Sequence, residues 1–152
     1  MIEKAKIDNV RQIYDIIAQY ARAGKMLPRA LSDIYEHVRD FFVFKVNDEI
    51  KGISALHIVW SDLAEVRSLA VIKEDHRTGI GRQLVEACLK EAKSLGIKKV
   101  FALTYVPDFF LKLGFHRIDR NDLPKKIWTD CIQCPYFPDC KEEAVEIVLD
   151  DE

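Results

Sequence analysis

The chain has 152 residues, the length of one ordinary domain, which is enough to bury a sizeable core. It carries 23 basic and 25 acidic residues, and the formal net charge of -2 gives no general electrostatic reason to bind nucleic acid or an anionic membrane. Its 49% hydrophobic and 32% charged residues are typical of a globular protein and exclude a disordered one. Apolar runs stay below the ~20 residues of a membrane-spanning helix, and the N-terminus lacks the apolar stretch of a secretory signal, so we expect a cytoplasmic protein.

The first third of the chain predicts a strand and two helices. Residues 2–7 form a short strand, and from Asp8 the apolar residues recur every three or four positions until Gly24. This spacing predicts a helix capped by Asp8 or Asn9. Ser32 is the predicted cap of a second, short helix.

The rest of the chain predicts a β-rich domain with one β-helix-β crossover. Two runs, 41–46 and 50–59, flank the polar turn 47–49 and predict a hairpin. Further strands are predicted at 63–72, 100–104, 115–118 and 145–149, with helices at 80–95 and from Pro107. The order predicts an α/β (α+β) fold with a mixed sheet. We expect one domain over residues 1–152, with an irregular cysteine-containing segment, 121–144, packed on it.

The loop before the helix at 80–95 carries the strongest chemical signal. Gly79 and Gly81 let the backbone approach a ligand closely, and the helix directs unpaired N–H groups back at the loop. Arg77 and Arg82 add positive charge, so the loop suits a phosphate or pyrophosphate. A P-loop and a dinucleotide fingerprint are both excluded, since no Lys-Ser/Thr follows Gly81 and position 84 is Leu. The alternative is a turn that uses glycine for geometry alone.

Three segments together resemble the GNAT N-acetyltransferase superfamily. The loop 76–81, His-Arg-Thr-Gly-Ile-Gly, resembles its acetyl-CoA loop Gln/Arg-x-x-Gly-x-Gly/Ala, with His76 at the first position. Residues 68–71, Ser-Leu-Ala-Val, resemble the strand ahead of that loop, and 109–115, Phe-Phe-Leu-Lys-Leu-Gly-Phe, resemble the signature Phe-Tyr-x-x-Leu-Gly-Phe. The resemblance covers roughly residues 2–120.

This resemblance implies a fold, a co-substrate and a cofactor site. The fold is a central, mostly antiparallel sheet with one parallel pair of splayed strands and flanking helices. The co-substrate is acetyl-CoA, whose pantetheine arm the backbone near Leu69 and Val71 would hold like an added strand. The pyrophosphate would bind the amides of the loop: Arg77, Thr78, Gly79, Ile80, Gly81 and Arg82. Family members often pair through sheet edges or helices, which allows a homodimer.

Four further segments, 24–29, 64–71, 101–104 and 123–126, resemble the acetyltransferase domain of N-acetylglutamate synthases. The acceptor implied is glutamate, in arginine biosynthesis. Another small amine, a protein N-terminus, or a catalytically weak CoA-binding sensor are the alternatives. Larger synthases carry an arginine-binding amino-acid-kinase domain for which these 152 residues have no room, so we expect no feedback control through such a domain.

Four residues are the candidate substrate machinery. Glu65 is the candidate base, acting through water on the substrate ammonium, and its alternative is a cross-strand salt bridge. Arg29 and Arg67 are candidates to bind a substrate carboxylate, or else are solvated surface charges. Thr104 is a candidate to hydrogen-bond substrate, or else an ordinary strand residue. Phe110 occupies the place of the tyrosine that protonates the leaving thiolate in many GNAT enzymes.

The cysteines leave two interpretations open. Cys131 and Cys134 have a chelating spacing, and Cys140 can add a third thiolate, which makes a structural metal one possibility. Free thiols or a local disulfide are the other, because no fourth ligand is evident. Cys88 lies on a helix face that should be buried. The scattered His37, His57, His76 and His116 are expected to be structural or surface residues.

Overall fold

Seven strands and four helices make up the part of the chain that the computed structural model describes, residues 1–72, 78–123 and 142–149. The strands are Ile2–Lys4 (β1), Phe41–Val46 (β2), Glu49–Trp60 (β3), Leu63–Val71 (β4), Lys99–Thr104 (β5), His116–Ile118 (β6) and Glu143–Val148 (β7). The helices are Val10–Arg22 (α1), Leu31–Glu36 (α2), Ile80–Ser94 (α3) and Pro107–Leu111 (α4). None of the helices in these ranges has the length and hydropathy needed to cross a membrane.

All seven strands form one sheet in the order β1-β2-β3-β4-β5-β7-β6. Every neighbouring pair is antiparallel except β4 and β5, which are parallel and joined through α3. A parallel pair needs such a crossover because a tight turn can join only antiparallel strands. The predicted mixed, mostly antiparallel sheet with flanking helices is therefore confirmed.

Helices cover both faces of the sheet, so its central strands bury residues on both sides. On one face α3 packs its apolar stripe, Ile80, Leu84, Val85, Cys88 and Ala92, against β3 and β4. On the other face α1 and α2 pack residues Val10, Ile13, Ile17 and Ile34 against β2 and β3. This arrangement brings α2 and the segment that precedes it to the face of the sheet opposite α3.

The parallel strands β4 and β5 separate after a short paired stretch. Their register runs only from Leu63 opposite Lys99 to Glu65 opposite Phe101. Beyond Glu65, β4 continues to Val71 without pairing to β5. The expected splayed pair is thus present, and the gap between the strands opens just after Glu65.

A β-bulge at Ser68 changes which face each residue of β4 presents. Ala55 pairs with Arg67 and Ile53 with Ala70, so two residues of β4 lie opposite one of β3, and Ser68 has a φ of 53°. The extra residue shifts the alternation by one. Ala70 consequently packs on the α1 face, although Val66 packs on the α3 face.

Local details differ from the sequence prediction at two helix starts and one turn. The N-cap of α2 is Ala30 rather than Ser32, so that prediction was wrong. Asn9 is the N-cap residue of α1 as predicted, but its side chain makes no capping bond to that helix and instead accepts a hydrogen bond from the Lys6 amide at 2.8 Å in the preceding 3-10 turn. The β2–β3 turn is two residues long, with Asn47 and Asp48 both left-handed, as a tight hairpin matched to strand twist requires.

The final strand begins earlier than predicted. β7 starts at Glu143, inside the segment 121–144 that was expected to be irregular, and pairs with β5 over its whole length. This long-range pairing, together with the burial of Ala144, decides the boundary, and neither is visible in local sequence. Most of that segment, 124–141, lies outside the described residues.

Candidate active site

Glu65 and Arg67 lie together at the point where β4 and β5 separate. They are two residues apart on one strand, so their side chains share the face opposite α3. The Arg67 Nε donates a hydrogen bond of 2.6 Å to the Glu65 Oε1. Only 8% of Glu65 is exposed, so the pair places a carboxylate in a largely buried position at the mouth of the gap.

A group of polar side chains continues from Glu65 across the same face. His57 is the direct cross-strand neighbour of Glu65, and its Nδ1 lies 3.4 Å from a carboxylate oxygen of Asp40. The His37 ring meets the His57 ring edge-on, with 5.9 Å between centroids. Both histidines were expected to be structural or surface residues, and the contact between them connects the end of α2 to β3 beside Glu65.

Arg29 belongs to the far end of this group. Its Nη1 donates a 2.6 Å hydrogen bond to the Asp33 Oδ2, and the Nδ1 of His37 lies 3.1 Å from the Asp33 Oδ1. Positions 29, 33 and 37 are separated by steps of four, which is the spacing of neighbours on a helix face. That spacing is the sequence signal that could have identified Asp33 and His37. The nearby Glu36 completes a set of possible metal-ligand atoms, but the ion pairs account for the set and we assign no metal to it.

Thr104 is not brought to the same place. Side chains alternate along β5, so Thr104 faces the α3 side, whereas Phe101, the register partner of Glu65, faces the other. Its Oγ1 accepts a hydrogen bond of 2.9 Å from the Val106 amide. The hydrogen bond of the Thr104 side chain is therefore made to the turn that leads into α4.

The glycine loop ends in an open helix N-terminus. Gly79 is the N-cap of α3 with a left-handed φ of 87°, and as a glycine it has no side chain with which to cap the helix. The Gln83 amide makes the first bond of the helix, to the Gly79 carbonyl at 3.1 Å. The amides of Ile80, Gly81 and Arg82 precede that bond, so they have no partner within the helix and point back at the loop.

Gly81 has a packing role in addition to any ligand role. A Cβ at this position would lie 3.3 Å from the Phe109 ring and 3.7 Å from a Val71 methyl group. The absence of a side chain therefore lets the start of α3 approach α4 and the end of β4. Both glycines thus have a structural role, Gly79 in backbone geometry and Gly81 in close packing, and the anion site stays a prediction.

The remaining residues of the predicted cofactor loop are exposed where the structure describes them. Thr78 lies on the surface, and Arg82 pairs with Glu86 on the outside of α3 at 2.9 Å. Arg77 and His76 lie outside the described residues. The charge that Arg82 contributes is thus already shared with a carboxylate one helical turn away.

The edge of β4 that faces the gap includes Leu69 and Val71. The Ile72 amide bonds the Lys51 carbonyl on β3 at 2.9 Å, so the backbone groups of the preceding residue, Val71, point away from β3 and into the gap. The Tyr20 hydroxyl of α1 bonds both of those Val71 groups. This contact was not expected from the sequence.

Phe110 lies in the core rather than at the gap. It is 3% exposed and meets the Phe109 and Phe115 rings edge-on, with centroids 5.2 and 5.1 Å away. Tyr105, the tyrosine nearest in sequence, is exposed just beyond the end of β5. The phenylalanine signature therefore serves packing of α4 against the sheet.

Cys88 is the one cysteine within the described residues, and it is buried as expected. Its Sγ lies 3.3 Å from the Ser54 hydroxyl. Burial raises the pKa of the Cys88 thiol to about 12, so it is inert as a nucleophile. Cys131, Cys134 and Cys140 lie outside the described residues, and the metal and thiol interpretations both stay open.

Comparisons with known proteins agree with this geometry. Residues 7–115 match the acetyltransferase (GNAT) family. An uncharacterized N-acetyltransferase of Chlorobaculum tepidum is 38% identical over 144 residues, which cover 95% of this chain and 93% of that one. An amino-acid acetyltransferase of Mycobacterium tuberculosis is 32% identical over 134 residues, or 86% of this chain and 76% of that one.

Two solved structures are close in fold. A Mycobacterium tuberculosis protein in complex with CoA and NLQ superposes with a TM-score of 0.83 at 27% identity, over 98% of this chain and 99% of that one. The N-acetylglutamate synthase of Neisseria gonorrhoeae, complexed with coenzyme A and N-acetyl-glutamate, gives a TM-score of 0.91 at 22% identity, over 99% of this chain and 35% of that one. The chain therefore belongs to the acetyltransferase (GNAT) family and is an N-acetyltransferase that uses acetyl-CoA.

Proposed function

We propose that the protein acetylates the amino group of a small amino acid, with glutamate as the preferred acceptor and arginine biosynthesis as its setting. The observation that carries this proposal is the Glu65–Arg67 pair at the mouth of the gap between β4 and β5. Glu65 can accept a proton from the amino group of the substrate, and Arg67 can bind its carboxylate. Acetylation of an amino acid requires both functions. The amino-acid acetyltransferase name of the 32% identical relative supports the same acceptor class.

In the proposed reaction Glu65 accepts the proton that the substrate ammonium loses, through an intervening water. The freed amine uses its lone pair to form the N–C bond with the thioester carbon. The C–S bond then breaks with its electron pair on sulfur, and the second proton of the amine nitrogen passes to the departing thiolate, which gives the N-acetyl product and CoA with a free thiol. Because a thiolate is a tolerable leaving group, these reaction steps do not require a tyrosine at position 110 as a general acid.

Arg67 and Arg29 are the proposed carboxylate ligands. A guanidinium has five N–H donors, so Arg67 has enough to hold Glu65 and a substrate carboxylate together. Arg29 reaches Asp33, and a substrate carboxylate would share it with that side chain. The two arginines support a dicarboxylic acceptor, since each can neutralise one carboxylate. Thr104 stays a weaker candidate, because it faces the other side of β5.

The proposed acetyl-CoA site follows the gap-facing edge of β4 and the N-terminus of α3. Leu69 and Val71 would pair with the pantetheine amides as an added strand does. The pyrophosphate would bind the loop and first-turn amides, from Arg77 through Thr78, Gly79, Ile80 and Gly81 to Arg82. The helix dipole and the missing intrahelical partners favour an anion there.

A panel of acceptors with acetyl-CoA and thiol detection tests the proposal. Glutamate should give the highest kcat/KM, ahead of glutamine, aspartate, polyamines and a peptide with a free N-terminus. Preference for any other acceptor would overturn the glutamate assignment. Tight CoA binding with no turnover on the whole panel would instead favour a sensor.

A further inference from the structure

The hydroxyl of Tyr20 makes two hydrogen bonds to one residue of the β4 edge. It donates to the Val71 carbonyl at 2.6 Å and accepts from the Val71 amide at 3.1 Å. A single hydroxyl can do both because it has one donor hydrogen and two acceptor lone pairs. Tyr20 thus satisfies Val71 much as a neighbouring strand would.

These two groups of Val71 are the ones that point into the gap. The Ile72 amide is bonded to the Lys51 carbonyl of β3, and backbone groups alternate in direction along a strand. The register of β4 with β5 ends at Glu65, so β5 does not reach Val71. The Tyr20 hydroxyl therefore lies on the same edge as the proposed pantetheine site.

We propose that Tyr20 competes with acetyl-CoA for the edge of β4 and thereby weakens cofactor binding. The inference rests on the proposed placement of the pantetheine arm at Leu69 and Val71. The Val71 amide has one hydrogen to donate, so it can serve the Tyr20 hydroxyl or a pantetheine carbonyl. Cofactor binding must break the tyrosine contact, and the free energy of that contact is subtracted from the affinity.

The position of Tyr20 suits a side chain that leaves its site. It lies in the last turns of α1, and its ring is only partly buried against the α1–α2 core. The chain reverses immediately afterwards, with the Lys25 amide bonded to the Tyr20 carbonyl at 2.9 Å and the Lys25 Nζ 5.9 Å from the ring centre.

The test is the affinity of Tyr20→Phe for CoA, measured by calorimetry on the full chain. Loss of two hydrogen bonds of ordinary strength from the free state alone should lower the Kd for CoA by about 5- to 100-fold. Tyr14→Phe is the matched control, since Tyr14 lies on the same helix and its hydroxyl bonds none of the described residues. Its Kd should not change.

A second ligand distinguishes competition between Tyr20 and the pantetheine arm from a general change in the affinity for nucleotides. Adenosine 3′,5′-bisphosphate lacks the pantetheine arm, so its Kd should be equal in wild type and Tyr20→Phe. An unchanged or weaker Kd for CoA in Tyr20→Phe, or an equal gain for both ligands, would overturn the inference. If wild-type protein binds CoA no more tightly than it binds the bisphosphate, the pantetheine arm adds no affinity and the proposed site on β4 is wrong. If Tyr20→Phe does not fold, Tyr20→Leu carries the same comparison.

Discussion

The Arg67 Nε lies 2.6 Å from the Glu65 Oε1, and both side chains stand on the face of β4 opposite α3. A cross-strand salt bridge was the structural alternative for Glu65, and the observed pair instead lies within one strand. Its place, at the last paired residue of β4 and β5, is where a substrate amine could meet a thioester held along β4.

Glu65→Gln should abolish most of the catalytic activity and leave the binding of both substrates nearly unchanged. The amide keeps the size of the side chain but cannot accept the ammonium proton, so we expect kcat to fall by about 10²- to 10³-fold. The KM for glutamate and the Kd for CoA should change little. Steady-state kinetics together with CoA calorimetry check this. Full activity in Glu65→Gln would assign the base elsewhere.

Arg29→Ala should act on acceptor binding rather than on chemistry. Loss of a charge-assisted contact to a substrate carboxylate should raise the KM for glutamate by about 10- to 100-fold, with a smaller effect on kcat. Arg117→Ala is the matched control, because Arg117 pairs with Asp108 and Glu143 on the surface near β6. If both variants behave alike, Arg29 is only a surface charge.

Gly79→Ala and Gly96→Ala compare the two ends of α3. Both glycines are left-handed, with φ of 87° and 85°, and among the described residues a Cβ on either would meet no atom within 4 Å beyond its own chain neighbours. Each substitution should therefore cost about 1 kcal/mol of stability through backbone strain alone. Only Gly79→Ala should also weaken CoA binding, because only that end carries the proposed pyrophosphate site. Equal CoA affinities in the two variants would contradict the site.

The sheet and its helices were largely predictable because the apolar spacing is strong. The α3 stripe from Ile80 to Ala92 is amphipathic in the sequence and packs as predicted. The predictions that were wrong concern features determined by residues distant in the sequence. The start of β7 at Glu143 depends on pairing with Thr104, which no local pattern encodes.

The shared face of Glu65 and Arg67 was predictable from the sequence, but the contacts around them were not. Glu65 and Arg67 follow from strand alternation, which is a short-range rule. The meeting of His37 with His57 requires α2 to fold onto β3, and the Tyr20–Val71 contact joins residues 51 positions apart. Such tertiary contacts leave no periodic signal in the sequence.

Stability at alkaline pH should report the burial of Cys88. The folded protein holds the pKa of this thiol at about 12, whereas an unfolded cysteine titrates near 8.5, so only the unfolded chain ionises it between those values. The folded state binds more protons in that window, and its stability therefore falls as the pH rises from about 8.5 towards 12.

Cys88→Ala removes this contribution. Between pH 8 and pH 10 the wild type should lose about 1–2 kcal/mol more of its free energy of unfolding than Cys88→Ala loses. Urea titrations under reducing conditions measure both values, and the remaining cysteines act as an internal background common to the two proteins. Parallel losses would show that the thiol is accessible to solvent. Alkylation of the native wild type at pH 8, mapped by mass spectrometry, should then also modify Cys88, whereas a buried thiol reacts only after denaturation.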